Sequence, residues 1–270
     1  MKVLNEDFIR KLIKEELGIH MEVVDVSNKV YNDILEDMKT KDSKNNDICY
    51  TKQGHVNCSL NNITFKVHYT CRNFLDNKII KDLDIESLTE GGTVFFNKSW
   101  LWVSVNIVAL NGNVNKQEAL NTIQHELEHV YQQIMSDKRI PSNDNQYVKM
   151  RSDMECSDET RRKVGRLVYL CYKSEQEGFI NGTYAWCMTD DAKSGPYQYE
   201  EIKNSPAGKL YIEMRSLYDE VFSDVQMTHI IENEYNYSNV YVEKILNKFL
   251  RRLGRVLIKV NMDKSKFWRN

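Results

Sequence analysis

The hydrophobic period of this chain changes twice, and that change limits the folds open to it. Up to residue 47 the apolar residues recur at helical spacing. "EDFIRKLIKEELG" (6–18) puts Phe8, Ile9, Leu12, Ile13 and Leu17 on one stripe, with Gly18 to end it. A second helix is predicted over 24–38, before the polar stretch 40–47. Between 48 and 110 β-branched and aromatic residues take over. "ITFKVHYT" (63–70), "GTVFFN" (92–97) and "WLWVSVNIVAL" (100–110) read as strands of one sheet, and "NGN" (111–113) turns the chain. The helical period then returns. A helix is predicted over 116–136, capped by Asn115 with Glu118 three residues on, and buried along Leu120, Ile123, Leu127, Val130 and Ile134. A polar connection (136–146), a long helix (157–188), a loop (190–206) and helices over 207–223 and 238–258 complete the order. Helices, sheet, then helices predict an α+β fold in three parts: 1–47 helical, 48–136 the sheet and its helix, 137–270 mainly helical.

The chain of 270 residues suits one large domain or two intimate subdomains. With 41% hydrophobic and 28% charged residues it is an ordinary globular sequence rather than a disordered one. Three prolines and 11 glycines favour helix over a turn-dense all-β fold. No apolar run reaches the roughly 18 residues of a membrane span, and the charged N-terminus lacks a signal-peptide core. The expectation is an intracellular protein whose six cysteines, with no CxxC pair, are free thiols. The net charge of −2 is unevenly spread. Lys244 to Arg269 hold nine Lys/Arg and one Asp, a local +8 against −10 elsewhere. That segment reads as a solvated helix face or as a surface for an anionic partner. No nucleic-acid-binding motif accompanies it, so nucleic acid is not an expected partner.

The residues that carry chemistry lie in "NTIQHELEHVYQQ" (121–133). On a helix, positions i and i+4 share a face one turn apart. His125 and His129 can therefore aim imidazole nitrogens at one metal ion. Zinc takes nitrogen ligands at about 2.0–2.1 Å and prefers four-coordination. A catalytic zinc keeps one position for water and lowers that water's pKa to about 7. Glu126 lies about 100° around the helix from His125, where it can act as general base on the water instead of binding the metal. Glu128 reads as an exposed helix charge.

This motif, on a periodic helix that follows a sheet, resembles the active-site helix of the zincin metallopeptidases. The likeness is specific at 121–133 and looser over 92–135 and 175–184. It implies a mixed sheet whose edge strand binds substrate in extended form, and Val103, Val105 and Ile107 stand where that strand would be. It also implies a third ligand. Met135 and Gln132 do not fit the metzincin pattern, and Ala185 after Gly182 and Thr183 does not fit the aspzincin one. The gluzincin pattern wants a glutamate on a second helix, which "YKSEQEGFINGTYAW" (172–186) supplies as Glu177 or Glu175. Glu177 is preferred, because Asn181 one turn on resembles the acid that orients a ligating histidine in gluzincins. The family also supplies an oxyanion stabiliser. Tyr184 and His229 are the leading candidates, with Tyr197, Tyr199 and Tyr235 behind them. "EGF" (177–179) is similar to the Glu-Gly-Phe of zinc aminopeptidases, but their upstream Gly-x-Met-x-Asn is missing, so an exopeptidase is not favoured.

The reading is a zinc-dependent metallopeptidase with a peptide or protein substrate. The competing reading is a catalytically inactive zincin fold that binds a partner through its basic C-terminus. Two weaker patterns remain. "HVNC" (55–58) and "HYTC" (68–71) repeat a His-x-x-Cys spacing, but on a strand positions i and i+3 face opposite sides, so ordinary strands are expected there. "NEDFIRKLIKEELG" resembles short N-terminal docking segments of some phage-encoded proteins, and packs equally well as an ordinary amphipathic helix.

Overall fold

The computed structural model describes residues 20–39, 49–74, 94–97, 100–110, 113–135, 145–189 and 196–267. The predicted N-terminal helix and docking segment (6–18), the polar stretch 40–47, the 111–112 turn and most of the 136–146 connection lie outside them. The fold is α+β and mostly helical, with one small mixed sheet. The chain forms two compact units. One holds the described residues within 19–135 and 184–192, the other those within 136–183 and 193–267.

The sheet unit begins with helix α1 (Met21–Lys39). Strands β1 (Cys49–Leu60) and β2 (Ile63–Phe74) then make a long antiparallel hairpin. Its two-residue turn, Asn61-Asn62, has φ of 48° and 64°. A two-residue hairpin turn favours positive φ at both positions, and asparagine tolerates it better than most side chains. Strands β3 (Val94–Asn97), β4 (Trp100–Leu110) and β5 (Asn113–Val114) complete the sheet in the order β1-β2-β4-β3, with β5 on β4. The β2–β4 pairing is parallel and the others antiparallel, which is the mixed sheet expected. Among the described residues β4 pairs with β3 only over 100–103 and with β5 only at 109–110, so over 104–108 it has a paired neighbour, β2, on one side alone. The side chains of Val103, Val105 and Ile107 point into the core, 0–2% exposed.

One face of this sheet carries Val56, Cys58 and Leu60, Phe65, Val67, Tyr69 and Cys71, and Val103 to Ala109 at alternate positions. Against it pack α1, through Val23, Val30 and Ile34, and α2 (Lys116–Met135), through Leu120, Ile123, Leu127 and Val130. The apolar stripe read from the sequence is thus the face that seats α2 on the sheet. Asn115 caps α2 as predicted, its Oδ1 accepting from Gln117 and Glu118 N–H. The His-x-x-Cys repeats form no joint site. Cys58 and Cys71 face the core, whereas His55 and His68 stand opposite each other on the outer face, rings 5.7 Å apart. Burial pushes the Cys58 thiol up to about 11, so it stays an inert thiol.

In the helical unit, the single long helix predicted over 157–188 is two. They are α4 (Glu159–Cys171) and α5 (Lys173–Met188), broken where Tyr172 turns extended (φ −65°, ψ 129°). Asp158 caps the start of α4, and Gln176 Nε2 donates to Leu170 O at 2.9 Å, satisfying one carbonyl at its end. Helix α3 (Asn145–Glu155) was not predicted, since its sequence carries little amphipathic pattern and only Met150 and Asp153 are buried. After the short α6 (Tyr199–Ile202), α7 (Pro206–Ser223) follows its prediction. Helix α8 (Val225–Tyr235) is an addition, started by Asp224, which ends α7 and caps α8. The last helix, α9 (Asn239–Phe267), outruns the predicted end at 258. A polar cluster centred on buried Asp153 and Tyr235 ties α3, α4 and α8 together. Asp153 accepts from Lys149 and Tyr235, both at 2.6 Å, and Arg161 bridges Asp153 and Glu234. No helix among the described residues is long and apolar enough to cross a membrane.

Candidate metal site

The site is built on the middle of α2. His125 and His129 stand one turn apart, their rings edge to face with centroids 4.8 Å apart and Nε2 atoms 3.1 Å apart. Two nitrogens bound to one tetrahedral zinc at 2.0–2.1 Å are separated by about 3.3 Å. The pair therefore already has the spacing of two ligands of one ion. His129 is buried, and His125 keeps partial exposure.

Each histidine needs a neutral Nε2 with its lone pair toward the ion. For His129 the structure supplies the reason. Its Nδ1 lies 3.3 Å from Gln132 Oε1, one turn on. With Nδ1–H donating to that carbonyl, the proton stays off Nε2. Gln132, which speaks against one zincin subclass at the sequence level, here has a local role.

The third ligand candidate is Glu175, on the first turn of α5. One ligand atom from each of His125, His129 and Glu175 lies within 4.8 Å of the others, and this buried group can hold a metal ion. Two imidazole nitrogens and one carboxylate are a donor set that suits divalent first-row metal ions. The structure thus brings Glu175, not the preferred Glu177, to the histidines. Glu177 is turned about 200° away around α5. It forms an ion pair with Arg252 of α9, Arg252 Nη2 donating to Oε1 at 2.7 Å, with Lys173 at 3.4 Å. Asn181, named for Glu177, is fully buried on the same helix.

Glu126 is buried at 4% exposure, directly after the first histidine. Glu128 corrects the reading of an exposed charge. It is 1% exposed, and His20 Nδ1 donates to both of its oxygens at 3.1 and 3.2 Å. The His20 ring stacks on Tyr131 at 3.7 Å. Within "HELEH", then, each glutamate has its own surroundings, and Glu128 is used in holding the chain before α1 onto α2.

The oxyanion candidates scatter. Tyr184 is buried on α5, while His229 is exposed on α8 and contacts the Asn233 amide at 3.1 Å. Tyr235 donates to Asp153, and burial together with that bond raises its pKa strongly. Tyr197 is buried, its N–H donating to Asn261. The side chain of Tyr199 lies outside the described ones. A residue that sequence reasoning missed is Tyr169, whose hydroxyl donates to Glu175 Oε2 at 2.5 Å. On one unbroken helix, residues six apart sit about 120° apart, so no spacing rule pairs them. The break at Tyr172 lets them meet.

No protein-family model, curated protein or solved structure matches this chain.

Proposed function

We propose that this protein is a zinc-dependent hydrolase of the gluzincin type that cleaves peptide bonds. One observation carries the reading: His125, His129 and a buried downstream glutamate converge, with Glu126 beside the first histidine. The mixed sheet before α2 is further support, since it matches the order of elements in the zincins. His125, His129 and Glu175 would hold the ion, with zinc favoured by the two imidazoles and one carboxylate. Bound zinc supplies Lewis acidity toward water and a substrate carbonyl. Glu126 accepts the proton of the attacking water and returns it to the leaving amine, so no free hydroxide or amide anion forms. Gln132 holds His129 in the tautomer that presents Nε2. The carboxylate of Glu126 needs no metal contact for this role.

The test is Glu126→Gln assayed on an unstructured protein substrate and for bound metal. The variant keeps one zinc per chain and loses about 10²–10⁴-fold in hydrolysis, the typical worth of a general base. Equal hydrolysis by wild type and variant refutes the mechanism.

A second reading, a non-catalytic zincin fold that binds an anionic partner, rests on α9. Lys244, Lys248 and Arg251 recur at helical spacing and are exposed. The basic segment is smaller than the sequence implied, since Arg252 and Lys264 are buried and Lys259 pairs with Asp263. This reading gains if wild type binds zinc and hydrolyses nothing.

A further inference from the structure

A ligating carboxylate must be aimed as well as present. Glutamate has three rotatable bonds, and a free Glu175 would lose that freedom on binding an ion. In this structure the freedom is already limited. Tyr169 Oη donates to Glu175 Oε2 at 2.5 Å, the length of a charge-assisted O–H···O⁻ bond. The phenol O–H donates and the carboxylate oxygen accepts. The bond engages one of the two carboxylate oxygens and sets the plane of the group.

Tyr169 is itself held. The Arg166 guanidinium lies over its ring, 5.4 Å from the centroid. Arg166 is one turn earlier on α4 and is clamped by Glu213 of α7, Nε and Nη2 donating to the two carboxylate oxygens at 2.7 and 3.0 Å. The bidentate geometry fixes the guanidinium plane, and the plane covers the ring. A continuous run of contacts therefore joins Glu213, Arg166, Tyr169 and Glu175 within the helical unit.

We infer that Tyr169 is a positioning residue for the metal site, holding Glu175 as a ready-aimed ligand, with Arg166 and Glu213 bracing it. The inference rests on reading His125, His129 and Glu175 as the ligands. Its expected effect is on metal affinity, because hydrogen-bond partners of metal ligands are typically worth 10–100-fold.

The experiment compares wild type, Tyr169→Phe and Glu175→Gln in full-length protein. Zinc affinity is measured by competition with a chromophoric chelator. The visible absorption of the cobalt(II)-loaded protein reports ligand geometry, and a melt of the metal-free protein reports the fold. Expected are tight zinc binding by wild type and a large loss in Glu175→Gln. Tyr169→Phe should bind 10–100-fold more weakly, with an altered cobalt band and a metal-free melt that stays cooperative. Wild-type affinity and spectrum in Tyr169→Phe, alongside a large loss in Glu175→Gln, would overturn the positioning role and leave the site intact. No zinc binding by wild type, or equal binding by wild type and Glu175→Gln, would overturn the site itself, and the inference with it.

Discussion

Replacing Glu177 by Gln separates a structural glutamate from a ligating one two residues away. Arg252 is 8% exposed and Glu177 19%, with 2.7 Å between the charged atoms. Removing one partner of a buried ion pair typically costs about 3–5 kcal/mol, because the remaining charge is left in a poor dielectric. Two features reduce that here. The amide keeps an oxygen that can accept from Arg252 at roughly half the strength of a carboxylate, and Glu177 retains some contact with solvent. The expected loss is about 2 kcal/mol. It is read from chemical denaturation of metal-free protein, with zinc affinity unchanged within a few-fold. Glu175→Gln should behave oppositely. Structural zinc sites bind with about 10–16 kcal/mol through four ligands, so one ligand is worth about 3 kcal/mol, or roughly a hundredfold in affinity. A Glu177→Gln protein of unchanged stability that binds zinc at least tenfold more weakly would refute this assignment and restore Glu177 as the ligand.

Three further outcomes are expected. Burial acts to raise the pKa of Asp153, but hydrogen bonds from Lys149 and Tyr235 and the charges of Lys149 and Arg161 outweigh it, so its folded pKa lies below the ordinary value. A depressed carboxyl pKa adds stability above the unfolded pKa near 4, and that stability is lost as pH falls through the folded value. Asp153→Asn should thus be about 2 kcal/mol less stable at pH 7, because the amide oxygen can still accept from Tyr235 but the negative charge that pairs with Lys149 and Arg161 is gone, with the gap closing in denaturation series below pH 4. Gln132→Leu removes the acceptor for His129 Nδ1 and should weaken zinc binding about 10–100-fold in the same chelator competition, with the hydrophobic stripe of α2 untouched. Ile123→Ala opens a cavity under α2 at a fully buried position and should cost about 2–5 kcal/mol by urea denaturation.

The sequence by itself determined what depends on local period and spacing. Leu120, Ile123, Leu127 and Val130 recur every third or fourth residue, and such a stripe can only be buried along one side of a helix. His125 and His129 then share a face whatever α2 packs on, so half of the candidate site was legible from spacing alone. The alternating strands and the cap at Asn115 were equally local. What the tertiary structure decided is where groups distant in sequence meet. Glu175 and Glu177 differ little in local sequence, and the Asn181 spacing favoured Glu177, whereas the tertiary structure groups Glu175 with the two histidines. The choice depended on Arg252, 75 positions beyond Glu177 on α9, which supplies the countercharge that Glu177 needs when buried. Glu128 looked like a solvated charge because its partner, His20, lies 108 positions earlier. Tyr169 reaches Glu175 only because the backbone turns extended at Tyr172, a break that no proline or glycine announces. Helical period is a property of neighbours along the chain, whereas the satisfaction of a buried charge depends on which elements pack beside it.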